Sequence, residues 1–132
     1  MLSLRAMDPS TLRAAWWASV ELRRLRRRVR ERGLRARVSD PPRLPARAGR
    51  GVDAVLRRQP NTCLERALVL QKWLSAHGEE RDVVVGAHSP EANFAGHAWV
   101  DGVDVQAEGR FAELIRLPPS PAPSSEPEEP LA

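Results

Sequence analysis

The sequence predicts an α+β fold in which helices come first and a small antiparallel sheet follows. Apolar residues recur at steps of three and four up to about residue 77, which is the period of an α-helix. Short valine-rich segments then follow, with a turn signal between two of them. The length of 132 residues allows one domain with a modest core.

The first helix is expected over about residues 9–31. Asp8, Pro9 and Ser10 are typical of a helix entry, and Gly33 is typical of a helix end. Between them, apolar residues recur at helical spacing: Leu12, Ala15, Trp16, Val20, Leu22, Leu25 and Val29. Prolines and glycines then predict a loop over residues 39–51, and a short helix is expected over residues 52–58.

Charge divides the chain into a basic and an acidic part. Residues 1–58 carry 16 arginines against five acidic residues, a net charge of +11, and residues 59–132 carry a net charge of −7. Six arginines surround the second half of the first helix: Arg23, Arg24, Arg26, Arg27, Arg28 and Arg30. This asymmetry fits either internal ion pairing or docking of an acidic partner. We expect no nucleic acid, because Trp16 and Trp17 lie outside the arginine run and could not stack bases beside it.

A further helix is expected from residue 63 to a stop at His77 and Gly78. Asn61 and Thr62 offer side-chain oxygens as N-caps, and the leucines that follow keep a helical spacing. Cys63 therefore lies in the first turn. Unpaired backbone N–H groups and the positive end of the helix dipole favour the thiolate form there, which suits a nucleophile.

Cys63 is the single cysteine, which excludes an internal disulfide and a thiolate zinc cage. The histidines have no metal-ligand spacing, so we expect no bound metal and no cofactor. A reducing cytoplasm fits this composition best. No export signal and no membrane span are expected, because no apolar stretch approaches the roughly 20 residues that cross a bilayer.

Three short strands are expected at residues 81–87, 96–101 and 103–106. Asp101 and Gly102 are typical of a two-residue hairpin turn, so the second and third strands should pair. Strand alternation then places four side chains on one face of this hairpin: His97, Trp99, Asp104 and Gln106. A carboxylate diagonal to His97 could orient the imidazole and stabilise its cation, as a Cys-His pair requires.

The organisation predicted from these patterns has three parts. Residues 1–51 form a basic helical segment and its loop, residues 52–117 form the core with the sheet, and residues 118–132 form a tail rich in proline and glutamate. The tail carries six prolines and should be disordered or extended.

Three sequence blocks resemble the transglutaminase-like cysteine peptidases of lasso peptide biosynthesis. They are NTCLERALVLQ at 61–71, DVVVG at 82–86 and FAGHAWVDG at 94–102. That family carries a cysteine at the start of a helix, a valine-rich strand ending in glycine, and a His-Ala-Trp-Val strand. The resemblance covers about residues 52–117. It implies a transglutaminase/papain-like core, in which the helix bearing the nucleophile packs on a small antiparallel sheet.

Carried over by position, the resemblance implies that Cys63 is the nucleophile and His97 its general base and later acid. It also implies removal of the leader peptide from a lasso precursor, with a leader-recognition protein and a cyclase as partners. The family usually has an aspartate about a dozen positions after the histidine, where this chain has Gly109. The face argument selects Asp104 instead, with Glu108 as second choice and Asp101 as the turn residue.

Two other functions remain open at this point. The chain could be an inactive homologue or a binding module whose arginine-rich helix holds an acidic partner. Alternatively, the same thioester chemistry could transfer the acyl group to an amine instead of water.

Overall fold

The computed structural model describes residues 8–88, 95–104, 107 and 110–119. The helices are α1 (Pro9–Arg32), α2 (Gly49–Arg58) and α3 (Cys63–Ala76), and the strands are β1 (Val83–His88), β2 (Ala95–Val100) and β3 (Ala112–Leu117). Single 3-10 turns lie at Gly33–Arg35 and Ala46–Ala48. The predicted α+β class is confirmed. Most of the predicted tail, from residue 120, lies outside the described residues.

The ends of α1 follow the predicted local signals. The Asp8 carboxylate accepts a hydrogen bond from the Thr11 amide at 2.8 Å, and Pro9 occupies the first turn. Gly33 ends the helix with φ at 59°, a backbone conformation that glycine adopts at little cost. The buried face is made mainly of small and aliphatic residues: Ala14, Ala18, Leu22 and Leu25.

Helices α1 and α2 approach each other closely at Gly51. A Cβ atom on Gly51 would clash with the backbone carbonyl oxygen of Thr11 and lie 3.0 Å from the Ala15 nitrogen. Glycine is therefore needed for this contact. The core that results includes residues of α1, α2, α3 and the sheet, so the basic helix and the segment after residue 51 share one hydrophobic core.

The loop between α1 and α2 is held by polar contacts with α1 and α3. The Trp17 indole nitrogen donates to the Ser39 carbonyl at 3.1 Å, and the Ser39 amide donates to the Glu21 carboxylate at 2.7 Å. Lys72 pairs with Asp40 at 2.8 Å. Glu21 is 2% exposed, so its charge is compensated by these contacts and by Arg28 at 3.1 Å.

The three described strands form an antiparallel sheet in the order β2-β1-β3. Val83 pairs with Val100 of β2 and with Leu117 of β3, and the β1–β3 register shifts between Val85 and Gly86. Side chains of Val83 and Val100 face the helices, whereas those of Val84 and Trp99 form a second apolar cluster on the other face.

The predicted hairpin between residues 96–101 and 103–106 is wrong. Asp101 and Gly102 do form a turn, in which the Val103 amide donates to the Val100 carbonyl at 3.0 Å. Val103 belongs to that turn and Asp104 to no strand, while residues 105 and 106 lie outside the described part. The chain instead returns as β3 on the far side of β1. The central position fits β1, whose neighbouring Val83 and Val84 are both almost fully buried and so need cover on both faces.

Candidate active site

The start of α3 is fixed by a capping box. The Thr62 hydroxyl accepts a hydrogen bond from the Glu65 amide at 3.1 Å, and the Glu65 carboxylate accepts one from the Thr62 amide at 3.0 Å. This reciprocal pair holds the backbone at the point where the helix begins. Cys63 is consequently the first helical residue, as the N-cap signals predict.

Cys63 has the environment expected at a helix N-terminus. Its side chain is partly buried and packs against the core cluster that faces the helices. The amides of Glu65 and Arg66 are bonded to Thr62, whereas the amides of Cys63 and Leu64 make no hydrogen bond within the described residues. Two backbone donors therefore lie beside the sulfur, at the positive end of the helix dipole.

His97 lies on β2 with a carboxylate on one ring nitrogen. The Nε2 atom of His97 is 3.5 Å from Oδ2 of Asp104, and the two side chains are 30% and 41% exposed. The sequence argument placed Asp104 on a strand beside His97. In the structure it reaches the ring from the segment after the turn, where its other oxygen accepts a hydrogen bond from the Ala107 amide at 3.1 Å.

Two aromatic rings lie against the His97 imidazole. The Trp99 ring stacks on it with centroids 5.8 Å apart and planes at 19°, and the Phe111 ring lies at 4.9 Å. Gly86 is opposite His97 in the sheet, and a Cβ atom there would lie 3.0 Å from the Trp99 ring. The glycine that ends the valine-rich block thus makes room for the aromatic ring beneath the histidine.

Phe111 is a contact of the site that the sequence reasoning missed. It directly precedes β3, a strand that was not predicted because most of its residues are exposed and show no alternation of burial. The sequence signal that could have found it is a phenylalanine immediately before the short segment at 112–117, with which the predicted core ends. Trp99 lies on the His97 face, as strand alternation predicts. It is 5% exposed and stacks on the imidazole, so it belongs to the core and also shields one side of the ring.

The topology places His97 at the end of α3 that carries Cys63. Gln71, in the second half of α3, donates to the carbonyls of Arg81 and Leu117 at 2.8 and 2.9 Å. These residues lie at the same end of the sheet as Val100, the last residue of β2. Since α3 packs against β2, the start of that strand lies toward the other end of α3, where Cys63 is.

The sulfur and the imidazole are not joined in this structure. No hydrogen bond links Cys63 to His97 within the described part of the chain. His97 shares the sheet face of Trp99, whereas the thiol packs against the cluster on the helical side. The structure therefore brings His97 and Asp104 together, and places Cys63 on the adjoining helix without direct contact.

The other candidate acids are arranged differently. Asp101 pairs with Arg116 at 2.9 Å, and Arg116 also binds Asp82 and Glu113, so these groups tie the end of the sheet together. Glu108, the second choice for the acid, lies outside the described residues. No cluster of three or more potential metal ligands occurs in the ranges that are described.

One protein-family model matches most of this chain. It is the model of the transglutaminase-like superfamily, and it matches residues 10–115. The chain belongs to the transglutaminase-like superfamily. This superfamily includes cysteine peptidases, in agreement with the class of chemistry inferred from Cys63 and His97.

The superfamily match extends further toward the N-terminus than the three motif blocks do. It includes α1, which the motif resemblance left outside, and this agrees with the core shared by α1, α2 and α3. Searches of curated proteins and of solved structures found no match. Within the described ranges, α1 and the other helices are too short or too polar to cross a bilayer.

Proposed function

We propose that this chain is a cysteine peptidase that removes the leader peptide from a lasso peptide precursor. The observation that carries the proposal is the His97–Asp104 pair, in which His97 lies on β2, the strand against which the Cys63 helix packs. Superfamily membership supports the thioester chemistry. The three motif blocks support the finer assignment to lasso precursors.

Each group has a defined role in this mechanism. The Cys63 thiolate attacks the carbonyl carbon of the scissile peptide bond, and His97 protonates the leaving amine as the thioester forms. Water, deprotonated by His97, then hydrolyses the thioester and restores the thiol. Asp104 lies beside Nε2, which leaves Nδ1 as the nitrogen that would exchange a proton with the sulfur, and its charge stabilises the imidazolium.

The amides of Cys63 and Leu64 are the donors for the oxyanion that forms on attack. Both are unpaired within the described residues and both belong to the first turn of α3. The mechanism also requires Nδ1 and the sulfur to come into contact when substrate binds. Because His97 shares the sheet face of Trp99 and the thiol packs on the helical side, this contact requires a rearrangement of the start of β2 or of α3.

A reconstituted cleavage reaction tests the proposal. The purified protein is combined with the precursor peptide and the leader-recognition protein encoded in neighbouring reading frames, and products are read by mass spectrometry. We expect separate leader and core peptides from the wild type and none from Cys63→Ala. The control for folding is the circular dichroism spectrum and unfolding midpoint of that variant.

Two outcomes would contradict the proposal. Cleavage by Cys63→Ala at the wild-type rate would show that another group performs the reaction. A product whose mass equals the core or leader joined to an added amine, with no hydrolysis, would assign the chain to acyl transfer instead.

A further inference from the structure

The outer side of α1 carries a groove lined by arginines. It encloses about 830 Å³ between α1 and the loop that follows it. Six arginines line it, against one glutamate at its rim: Arg23, Arg24, Arg27, Arg28, Arg32 and Arg37, with Glu31. This concentration of one sign of charge in a concave surface attracts anions.

Most of this positive charge has no acidic partner among the described residues. Buried Glu21 pairs with Arg28 at 3.1 Å and with Arg24 at 3.8 Å. Arg23 and Arg27, in contrast, form no ion pair with any described residue, and both are exposed. Internal pairing, one of the two explanations of the basic segment, therefore accounts for only part of it.

An apolar depression continues the groove toward the start of α1. It encloses about 520 Å³ and shares Arg24 and Ser39 with the arginine groove. Leu12 and Trp16 lie one helical turn apart along it and are 53% and 69% exposed. We call the two together the α1 groove. Adjacent apolar and cationic sections of this kind suit a polypeptide with matching sections.

The floor of the α1 groove is fixed before any partner binds. Ser39 lines both sections, and its amide and carbonyl are held by Glu21 and Trp17 at 2.7 and 3.1 Å. A preformed floor lowers the entropic cost of binding. Trp16 and Arg32 are 16 residues apart on the helix, so this stretch of the groove is about 24 Å long and spans about seven residues of extended peptide.

Helix α1 contacts the start of α3 through a residue outside the α1 groove. Arg26, which precedes groove residue Arg27, donates to the Pro60 carbonyl at 3.4 Å and lies 4.0 Å from the Glu65 carboxylate. Glu65 belongs to the capping box that positions Cys63. The contacts to α3 thus lie on a different side of α1 from the α1 groove, and a peptide in the groove would leave them in place.

We propose that the α1 groove binds an acidic peptide segment in which one large apolar side chain adjoins a run of carboxylates. The apolar side chain contacts Leu12 and Trp16, and the carboxylates pair with Arg23, Arg27 and their neighbours. The source of this segment rests on the proposed function, under which it belongs to the leader of the precursor. The binding chemistry itself depends only on the groove.

Fluorescence anisotropy of a labelled synthetic peptide tests this proposal. The probe has seven residues, one leucine and four glutamates among them, and the control probe has glutamine in place of each glutamate. The protein carries Cys63→Ala so that no cleavage intervenes. We expect the glutamate probe to bind at 50 mM salt, to weaken as salt rises, and to exceed the glutamine probe at least tenfold in affinity.

Variants with matched charge locate the binding site. Replacing Arg23 and Arg27 with Gln should lower the affinity about tenfold and flatten its salt dependence. Replacing Arg57 and Arg58 with Gln removes the same charge from an exposed part of α2 outside the groove, and should leave the affinity within about twofold of its starting value. Trp16→Ala should weaken binding with no change in the salt dependence.

Four results would overturn the proposal. The first is equal affinity for the glutamate and glutamine probes, and the second is an equal loss of affinity in the two double-arginine variants. The third is tighter binding of a single-stranded RNA of similar length. The fourth is peptide binding only after residues 120–132 are removed, since that would assign the groove to the acidic tail of the chain itself. If the probe binds in this assay and the cleavage reaction described above releases no leader, the peptidase proposal alone is refuted, because the binding assay involves no cleavage.

Discussion

Replacing Asp104 with asparagine would test whether the carboxylate beside His97 supports the reactivity of Cys63. Asparagine keeps the size and the hydrogen-bonding capacity of the side chain and removes its charge. If Asp104 stabilises the imidazolium, and the imidazolium stabilises the Cys63 thiolate, then Asp104→Asn should slow every reaction of the sulfur near neutral pH.

The magnitude follows from the distance and the exposure of the pair. At 3.5 Å two unit charges attract by about 1 kcal/mol in the dielectric of water and by about 5 kcal/mol at an effective dielectric of 20. His97 and Asp104 are 30% and 41% exposed, so solvent screening places the value toward the lower limit. A loss of about 1 to 2 kcal/mol corresponds to a rate about 5 to 30 times slower.

Alkylation by iodoacetamide measures this without knowledge of the substrate. Cys63 is the single cysteine, so the loss of free thiol reports on one site. The rate is followed from pH 5 to 9, because the thiolate is the form of a cysteine that reacts. Asp82→Asn is the control, because it removes a carboxylate of similar exposure that binds Arg116. Equal rates for Asp104→Asn and wild type throughout this range would refute an action of Asp104 on the sulfur in the substrate-free protein.

Three further predictions concern stability, and urea unfolding measures each of them. Gly51→Ala should destabilise the fold by about 2 to 3 kcal/mol because its Cβ would meet the backbone of α1, whereas Gly96→Ala meets no atom nearer than 3.9 Å and should cost much less at that contact. Thr62→Ala should cost about 1 kcal/mol through loss of the N-cap, and Thr62→Ser should retain most of it. Hydrogen bonds from Thr11 hold the pKa of Asp8 below its ordinary value, so its stabilisation is present above about pH 4 and lost as pH falls further; Asp8→Asn should reduce this acid sensitivity.

The helices were predictable because their ends are set by local chemistry. The caps at Asp8 and Thr62 act within three residues, and α1 and α3 begin where these caps place them. Helix α2 begins at Gly49, three residues before the predicted start. The prediction assigned residues 49–51 to the loop because glycines at 49 and 51 are typical of a break between elements. In the structure Gly51 serves helix packing, which depends on a partner distant in sequence.

The sheet was less predictable because strand pairing depends on distant segments. The turn at Asp101 and Gly102 has the sequence of a hairpin, yet Val103 and Asp104, which directly follow it, do not pair with β2. The last strand of the sheet is instead β3, which pairs with β1 on the side opposite β2. It has little buried surface and hence little hydrophobic pattern in its sequence. Which segment pairs with β1 depends on the need to bury both faces of that strand, and no local sequence signal shows this need.

The candidate site combines both kinds of information. The position of Cys63 follows from a local N-cap signal, whereas the approach of Asp104 to His97 depends on how the chain leaves β2. The prediction named Asp104 on the assumption of strand alternation, and the structure delivers its carboxylate to the ring by a different backbone path. Residues that directly follow a turn stay close to the preceding strand, so their side chains can reach it whether or not they form a paired strand.

The two faces of α1 separate the stability of the fold from the binding proposed for the groove. Ala14, Ala18 and Leu25 are fully buried and hold α1 in the core, whereas Arg23 and Arg27 project from the opposite side and contact no described acid. Substitution of these arginines therefore removes binding groups without leaving a cavity or an unpaired buried charge. If the variant with both arginines replaced by glutamine unfolds at the same urea concentration as wild type, its loss of peptide affinity measures the groove. If it unfolds much earlier, the arginines belong to the fold, and the charge asymmetry has its explanation in internal contacts.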